Sequence, residues 1–295
     1  ELVPTEYRTF ASGEILTRFE VSIRGCDFFL IQTFGPPVNE WLMESLIMLD
    51  AAKRASAKRI TVVAPYYPYS RQDKKGRGRE PISGRLVADL WKAAGADRIM
   101  SVDLHAAQIQ GFFDGPVDHL FAKPVLLEYF ERTLSAEDRA DLTVVSPDTG
   151  RVRVADTWSD SLGAPLAIIH KRRDPNVANQ ITVNEIVGHV DGRVCLLVDD
   201  MIDTGGTIVK AAQALKKSGA KKVIVAATHA IFSDPAAERL QDVSIDEVVV
   251  TDSVPIPEEK RFASLTILPI APLLARAVHE VFEDGSVTSM FDGAA

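Results

Sequence analysis

Residues 195–208 read CLLVDDMIDTGGTI, and this stretch decides the interpretation of the fold. The apolar run Cys195–Val198 has no polar alternation, which is typical of a strand covered on both faces in a parallel sheet. Asp199 and Asp200 follow it directly, and a glycine-containing turn comes next. In open parallel sheets, ligands bind beyond the carboxyl ends of the strands. The stretch therefore predicts a ligand site that carries two carboxylates.

The turn after the two acids predicts a phosphate site. Gly205 and Gly206 lack Cβ atoms, so the backbone can take unusual dihedral angles and approach a ligand closely. Thr204 and Thr207 add hydroxyl groups, and a helix predicted from Thr207 points free N–H groups and its positive dipole end at the same place. The chain contains neither a Gly-Lys-Ser/Thr loop nor a G-x-G-x-x-G motif. A phosphate loop beside two carboxylates predicts a sugar phosphate, with the acids bound to vicinal hydroxyls.

The rest of the chain alternates apolar runs with helical patterns, which predicts an α/β fold. Strands are predicted within RITVVAPYY (59–67), RIMSVDLH (98–105), LTVVSPD (142–148), PLAIIH (165–170), RVCLLVDD (193–200), KKVIVAATHAIF (221–232) and DEVVVTDS (246–253). Helices are predicted at 39–55, 82–94, 124–134, 152–162 and 207–218.

Two stretches resemble each other. ADLWKAAGADRIMSVDLHA (88–106) and AQALKKSGAKKVIVAATHA (212–230) align without gaps. Coincidence or convergence on a common helix–strand pattern is the alternative to a duplicated domain. The loops before the two helices differ, since the first half has a longer and basic loop at 69–84. We therefore expect two tandem, duplicated domains, 1–122 and 123–295, each with a mainly parallel sheet flanked by helices, and the C-terminal residues packed back on the first.

Composition limits the classes of function. A net charge of -8 argues against a general nucleic-acid or membrane-surface protein. Cys26 and Cys195 lie far apart, form no disulfide framework and favour a reducing, cytoplasmic setting. The most apolar segment, 265–278, is interrupted by two prolines and an arginine and does not predict a membrane span.

The opening stretch resembles the phosphoribosyl-diphosphate binding motif of the type I phosphoribosyltransferase fold. Further motifs are YYPYSRQDKKGRGREPISGRLVADL (66–90), VDLHAAQIQGFFDGPVDHLFA (102–122), VVSPDTGRVRVAD (144–156) and IIHKRRDPN (168–176). With these, essentially the whole chain resembles the bacterial class I type of the ribose-phosphate pyrophosphokinase family, also called phosphoribosyl-diphosphate synthetases. Family members carry a strand and a helix ahead of the point where this chain begins, so the resemblance implies that these lie upstream.

The resemblance implies a ribose-phosphate diphosphokinase. Such enzymes use Mg²⁺ and transfer the β,γ-diphosphoryl group of ATP to the C1 hydroxyl of ribose 5-phosphate. The products are AMP and 5-phosphoribosyl 1-diphosphate, which serves nucleotide, histidine and tryptophan synthesis. The resemblance also implies a cytoplasmic homo-oligomer of dimers assembling to a hexamer, phosphate and ADP as effectors, and no nucleic-acid or membrane partner.

Site residues follow from the matching motif positions. The resemblance implies catalytic roles for Lys171 and Arg173; ATP binding by Phe10, Glu14, Arg71, Gln72, Asp73 and His105; ribose 5-phosphate binding by Asp199, Asp200, Asp203, Thr204, Gly205, Gly206 and Thr207; metal binding by His105 and Asp148; and an allosteric site at Ser22, Arg24 and Ser286. Phe10 and Glu14 would contact the adenine bound to a neighbouring subunit. Two positions depart from the family: Ser12 replaces a frequent acid or amide, and Arg151 replaces a common glycine.

Several of these residues also have plainer interpretations. A Lys-Arg-Arg run is often a solvated basic turn, and a lone histidine is often structural, as we expect for His229. The basic run 74–79 could indicate a nucleic-acid patch, but on an acidic chain it favours polyphosphate.

Two rival functions share part of the pattern. A phosphoribosyltransferase that consumes the diphosphate would need neither the duplicated half nor Arg71-Gln72-Asp73. A non-catalytic regulatory paralogue would carry an altered catalytic loop, whereas His105, Asp148, Lys171 and Arg173 are all present. AMP formed from ATP and ribose 5-phosphate without a nucleobase would distinguish the synthetase from both.

Overall fold

The computed structural model describes residues 2–172 and 183–291. The described residues form two compact units. The first comprises the residues up to Phe121 together with those from Ala271 onward, and the second is Ala122–Ile270.

The elements are numbered in chain order. The strands are β1 (Thr5–Thr9), β2 (Ile15–Phe19), β3 (Asp27–Ile31), β4 (Arg59–Ala64), β5 (Arg98–Val102), β6 (Val117–Leu120), β7 (Leu142–Ser146), β8 (Leu166–Arg172), β9 (Val183–Val187), β10 (Val194–Ile202), β11 (Lys222–Ala230), β12 (Glu247–Thr251) and β13 (Leu265–Leu268). The helices are α1 (Val38–Arg54), α2 (Ser83–Ala94), α3 (Lys123–Thr133), α4 (Ala136–Ala140), α5 (Val152–Leu162), α6 (Gly206–Lys217), α7 (Ala236–Arg239) and α8 (Ala271–Phe282), with short 3₁₀ turns at 107–111, 258–260 and 287–291.

The first unit contains a four-stranded sheet of order β3-β4-β5-β6, in which every neighbouring pair is parallel. The strands β1 and β2 form a separate antiparallel pair. Trp91 of α2 is fully buried, packs against Phe34 and Tyr67 with ring centroids 5.3 Å away, and donates to the Ser45 hydroxyl of α1 at 3.1 Å. The buried indole thus joins the two helices that follow β3 and β4.

The second unit contains a seven-stranded sheet of order β13-β12-β11-β10-β7-β8-β9. All pairs are parallel except β8 with β9. Val145, Leu197, Val225 and Val250, one from each of four neighbouring strands, are fully buried in one core with Leu215 of α6. The alternate residues Val144, Leu196, Ile224 and Val249 are also fully buried, so these apolar strands are covered on both faces. The α/β prediction with mainly parallel sheets is confirmed.

The two similar stretches occupy equivalent places in the two units. The first forms α2 and β5, and the second forms α6 and β11. Arg98 and Lys222 are equivalent in the alignment, and each is the first residue of its strand to pair with the preceding strand, β4 or β10. The order β3-β4-β5-β6 matches the order β7-β10-β11-β12. A repeated strand order supports the interpretation that one domain was duplicated.

The apolar segment 265–278 forms β13 and most of α8, with Pro269 between them. None of the helices in the described part of the chain has the length and apolar character that crossing a membrane requires.

Candidate functional site

The turn at 203–205 links β10 to α6 and, with the first two residues of the helix, has the geometry of an anion site. Gly205 precedes α6 with φ +73°, a left-handed conformation that favours glycine. Thr204 and Thr207 are exposed, so their hydroxyls face solvent where a ligand could enter. Because α6 begins at Gly206 and runs for 12 residues, its unpaired N–H groups and positive end lie at this loop.

The two acids precede this loop within β10. The strand continues past them to Ile202, because Asp199, Met201 and Ile202 still pair with β11. The prediction that Asp199 and Asp200 end the strand is therefore wrong for the side of β10 that pairs with β11. On the other side the ladder with β7 stops at Leu197, so the acids lie beyond the end of that neighbour.

Arg151 forms ion pairs with both acids. Its Nη2 lies 2.8 Å from Oδ1 of Asp200, and its Nε lies 3.4 Å from Oδ1 of Asp199. All three side chains are largely buried, with exposures of 14% for Arg151, 16% for Asp199 and 7% for Asp200. Arg151 stands just before α5, in the connection that follows β7. Since β7 is the sheet neighbour of β10, the fold brings the arginine to the acids.

One guanidinium faces two carboxylates, and this imbalance perturbs Asp199. Burial raises the pKa of Asp199 well above its usual range, and the neighbouring charge of Asp200 raises that pKa further. The charge of Arg151 and the Asp200 backbone N–H, which donates to Asp199 Oδ1 at 2.9 Å, lower that pKa in part. The site thus favours a further cation or hydrogen-bond donors near Asp199.

Asp148 and Lys171 belong to the same edge of this sheet. The strands β7, β8 and β10 are parallel, so their carboxyl ends lie together. Asp148 follows β7, and its Oδ1 accepts from the Gly150 N–H at 2.9 Å. Lys171 lies near the end of β8, where its backbone pairs with Asn184 of β9. Arg173 lies outside the described residues.

The first unit carries the residues matched to ATP binding. Arg71 and Gln72 line a cavity of about 460 Å³, together with Pro37, Val38, Asn39, Glu40, Tyr66 and Tyr69. The Gln72 side-chain oxygen accepts from the Ser83 hydroxyl at 2.7 Å, and the Tyr67 hydroxyl donates to the Gly84 carbonyl at 2.8 Å. Both bonds tie the long loop after β4 to the start of α2. Asp73 is buried and accepts a hydrogen bond from the Gln108 amide.

His105 and the predicted adenine loop also belong to the first unit. His105 is partly buried in the loop that follows β5. Phe10 is 44% exposed at the turn between β1 and β2. The Ser12 hydroxyl donates to the Glu14 carboxylate at 2.8 Å, so the residue that departs from the family contacts the predicted ligand-binding acid.

Metal and allosteric residues are distributed as follows. His105 belongs to the first unit and Asp148 to the second. Over residues 2–172 and 183–291, no group of three or more His, Cys, Asp or Glu side chains is placed to hold a metal ion. Ser22, Arg24 and Ser286 are exposed, and the Ser286 carbonyl accepts from the Ser289 hydroxyl at 2.6 Å.

Sequence reasoning missed two arginines at the second-unit site. The sequence marks Arg151 only as a departure from the family and does not indicate the acids as its ion-pair partners. Arg239, at the end of α7, donates from Nη1 to the Thr204 carbonyl at 3.1 Å, and this nitrogen lies 3.4 Å from where a Cβ at Gly206 would stand. No motif pointed to Arg239, because it lies 35 residues from Thr204.

Comparisons with known proteins identify the family. The family model for the N-terminal domain of ribose phosphate pyrophosphokinase matches residues 1–95, and the model for the phosphoribosyl synthetase-associated domain matches residues 175–292. A ribose-phosphate pyrophosphokinase of Streptomyces avermitilis is 63% identical over 99% of this chain and 89% of its own. The protein of the same name from Mycobacterium tuberculosis is 60% identical over 98% of this chain and 88% of its own.

A solved structure agrees with these relatives. The crystal structure of phosphoribosylpyrophosphate synthetase from Mycobacterium smegmatis is 58% identical and superposes with a TM-score of 0.90, covering 97% of this chain and 92% of that one. The chain therefore belongs to the ribose-phosphate pyrophosphokinase family of enzymes, and the resemblance seen in the sequence motifs is confirmed.

Proposed function

We propose that this chain transfers the β,γ-diphosphoryl group of ATP to the C1 hydroxyl of ribose 5-phosphate, giving 5-phosphoribosyl 1-diphosphate and AMP. The observation that carries the proposal is the pair of buried acids in β10 followed at once by the anion-binding turn before α6. A site of this kind suits a ligand that has a phosphate at one end and hydroxyls at the other.

The second unit would bind ribose 5-phosphate. Backbone N–H groups of residues 203–207 and the hydroxyls of Thr204 and Thr207 would hold the 5-phosphate, assisted by the dipole of α6. Asp199 and Asp200 would accept hydrogen bonds from the ribose hydroxyls. Arg239 would support the loop through its bond to the Thr204 carbonyl, which keeps a positive charge beside the bound phosphate.

The first unit would bind ATP. Arg71 and Gln72 line its cavity, and Arg71 offers a fork of N–H donors that suits phosphate oxygens. In the reaction the C1 oxygen of the sugar forms a bond to the β-phosphorus. The bond between that phosphorus and the oxygen bridging to the α-phosphate breaks, AMP leaves with this oxygen, and the hydroxyl proton is released. Negative charge grows on the transferred group, and Lys171 and Arg173 would stabilise it.

The residues present fit Mg²⁺. This ion prefers carboxylate and phosphate oxygens and takes one or two protein carboxylates together with substrate phosphates, so it needs no cluster of three protein ligands. Asp148 and the Asp199–Asp200 pair supply such oxygens, and the family resemblance adds His105. When bound, Mg²⁺ supplies charge neutralisation to the phosphates of ATP.

Assembly and regulation follow the family resemblance in this proposal. We place the protein in the cytoplasm as a homo-oligomer of dimers forming a hexamer. Phosphate and ADP would act as effectors through Ser22, Arg24 and Ser286, whose exposure leaves them accessible.

The test is product identification. The full chain is incubated with Mg-ATP and ribose 5-phosphate in the absence of any nucleobase, with and without inorganic phosphate, and the products are identified by mass spectrometry. AMP and 5-phosphoribosyl 1-diphosphate in equal amounts are expected. ADP with ribose 1,5-bisphosphate would show transfer of the γ-phosphate alone and would refute diphosphoryl transfer.

The two rival functions give different outcomes in the same experiment. A phosphoribosyltransferase forms no AMP from these substrates, but it consumes 5-phosphoribosyl 1-diphosphate in a second mixture that supplies this compound together with a nucleobase. A non-catalytic regulatory paralogue forms no product in either mixture, while a relative such as the Streptomyces avermitilis protein serves as the positive control.

A further inference from the structure

Arg151 contacts both carboxylates that the proposed function assigns to the sugar hydroxyls. Its Nη2 and Nε lie 2.8 Å and 3.4 Å from Oδ1 of Asp200 and of Asp199, respectively. Oδ1 of Asp199 also accepts from the Asp200 backbone N–H at 2.9 Å. The Oδ1 atom of each acid is therefore already engaged.

This ion pair is part of a buried arrangement and not a loose surface contact. The three side chains are between 7% and 16% exposed. Ion pairs between exposed side chains contribute little, whereas removing one partner of a buried pair leaves an uncompensated charge at large cost. Arg151 is therefore the internal counter-charge of the two acids.

A cation that binds the same carboxylate oxygens competes with Arg151. A divalent ion binds carboxylate oxygens at about 2.0 to 2.6 Å. At Oδ1 of Asp199 or Asp200 it would approach a guanidinium nitrogen that lies 3.4 Å or 2.8 Å from the same oxygen. Like charges held this close in a poorly hydrated site repel strongly. The ion pair and a metal ion bound at these Oδ1 atoms therefore compete.

We infer that Arg151 is a positioning residue that competes with the ligands of the acid pair: it holds Asp199 and Asp200 when no ligand is bound and withdraws when ribose 5-phosphate with a divalent cation takes its place. The inference rests on the proposed sugar-binding role of the acids. Because the ion pair must break for binding, the arginine lowers the affinity of the site for sugar phosphate and cation while stabilising the empty protein. Its long, flexible side chain allows the withdrawal without moving β7 or α5.

The experiment compares Arg151→Met, Arg151→Lys and Arg153→Met with the unmodified full chain. Methionine keeps much of the side-chain volume and removes the charge, whereas the single ammonium of lysine cannot bridge both acids as a guanidinium fork does. Arg153 lies two residues further along on the exposed face of α5, so its variant removes an equal charge as the matched control. Two quantities are measured: the unfolding temperature with and without MgCl₂, and the dissociation constant of ribose 5-phosphate with Mg²⁺ by calorimetry.

Without Mg²⁺, Arg151→Met is expected to unfold at a lower temperature than the unmodified chain. Added MgCl₂ should raise the unfolding temperature of Arg151→Met more than it raises that of the unmodified chain. Arg151→Met should also bind ribose 5-phosphate about tenfold more tightly, the size of a typical coupling between contacting groups. In both measurements, Arg151→Lys should give values between those of Arg151→Met and the unmodified chain. Arg153→Met should match the unmodified chain in both.

The opposite result would overturn the inference. Arg151→Met would then bind ribose 5-phosphate more weakly than the unmodified chain, and MgCl₂ would raise its unfolding temperature by no more than it raises that of the unmodified chain. Such a result would mean that the arginine stays in the complex and helps to hold the ligand. Should Arg151→Met not fold, Arg151→Lys carries the same comparison. Failure of the proposed function is separate: the unmodified chain would then bind no ribose 5-phosphate, and the MgCl₂ comparison would still decide whether Arg151 competes with a cation.

Discussion

Replacing Asp199 with asparagine should stabilise the ligand-free protein and weaken sugar-phosphate binding. Asp199 carries a charge that is largely buried beside the charge of Asp200, and both factors raise its pKa. The substitution removes that charge and keeps nearly the same shape. Asp200 retains the closer contact with Arg151, at 2.8 Å, so the remaining acid keeps its counter-charge.

The size of the gain follows from opposing contributions. At an effective dielectric constant of about 20, the pair of Asp199 with Arg151 at 3.4 Å is worth roughly 5 kcal/mol of attraction. The neighbouring carboxylate of Asp200, taken at about 4 Å, opposes this with roughly 4 kcal/mol of repulsion. The two nearly cancel, which leaves the cost of burying the charge, several kcal/mol, partly offset by the Asp200 backbone hydrogen bond. We expect a net gain of about 2 kcal/mol in the free energy of unfolding at neutral pH.

The gain should depend on pH in a defined direction. An unfolded aspartate titrates near pH 4, and the folded pKa of Asp199 lies well above that value. Between the two pKa values the folded chain binds more protons than the unfolded chain, so the contribution of Asp199 to stability falls as pH rises through this interval. The advantage of Asp199→Asn over the unmodified protein should therefore be small at about pH 4 and grow toward neutral pH.

Urea unfolding of the ligand-free protein at a series of pH values measures this difference. Asp156→Asn, at an exposed position of α5, is the matched control and should change stability by less than about 0.5 kcal/mol at every pH. The same Asp199→Asn protein should bind ribose 5-phosphate more weakly by calorimetry while ATP binding stays measurable. Lower stability of Asp199→Asn at neutral pH, or a difference that does not change with pH, would refute the reasoning.

Three further predictions concern single positions. Gly205→Ala should lower the free energy of unfolding, measured in urea, by about 1 to 2 kcal/mol. The added Cβ would lie 3.5 Å from its nearest atom, which is an ordinary contact, but a φ of +73° strains any residue other than glycine. Gly206→Ala, whose φ is not in the left-handed region, should cost less. Lys171→Ala should reduce kcat by about 100-fold or more with little change in the KM for ribose 5-phosphate, whereas Arg172→Ala should stay near the unmodified rate; a normal kcat for Lys171→Ala would exclude the catalytic role. Because burial raises the pKa of Cys195 to about 11, iodoacetamide at pH 8 should label exposed Cys26 and spare Cys195 in the folded protein, as read by peptide mass spectrometry.

Several elements with a buried apolar pattern could be found from the sequence, whereas the half-exposed β1 and β2 could not. The strand β10 and the helix α5 lie where the apolar runs and periodicity indicate, since both sides of β10 are covered and α5 has a regular buried face. The strands β1 and β2 were missed because most of their residues are exposed or only half-buried, and their hairpin has no uninterrupted apolar run. The short β13 and α8 were hidden within one apolar segment.

The candidate site divides in the same way between local and distant features. The acids, Gly205 and the start of α6 lie within one short stretch, so their spacing alone predicted them together. The contact of Arg151 with the acids depends on β7 lying beside β10, which no local pattern reveals. Asp73 shows the reverse: its motif match predicts ATP binding, while its side chain is buried against Gln108 and does not line the cavity with Arg71 and Gln72.

The two aligned histidines show how duplicated halves come to differ. His229 is part of β11, buried at 1% exposure, with Nδ1 2.9 Å from the Ser253 hydroxyl. The equivalent His105 lies past the end of β5 and is only partly buried. The strand before each explains the difference: β10 continues to pair with β11 up to Ala230, whereas β4 ends at Ala64, followed by Pro65, which has no N–H for a ladder. The early end of β4 therefore leaves room for the long basic loop of the first half, and His105 lies outside the sheet instead of within a strand.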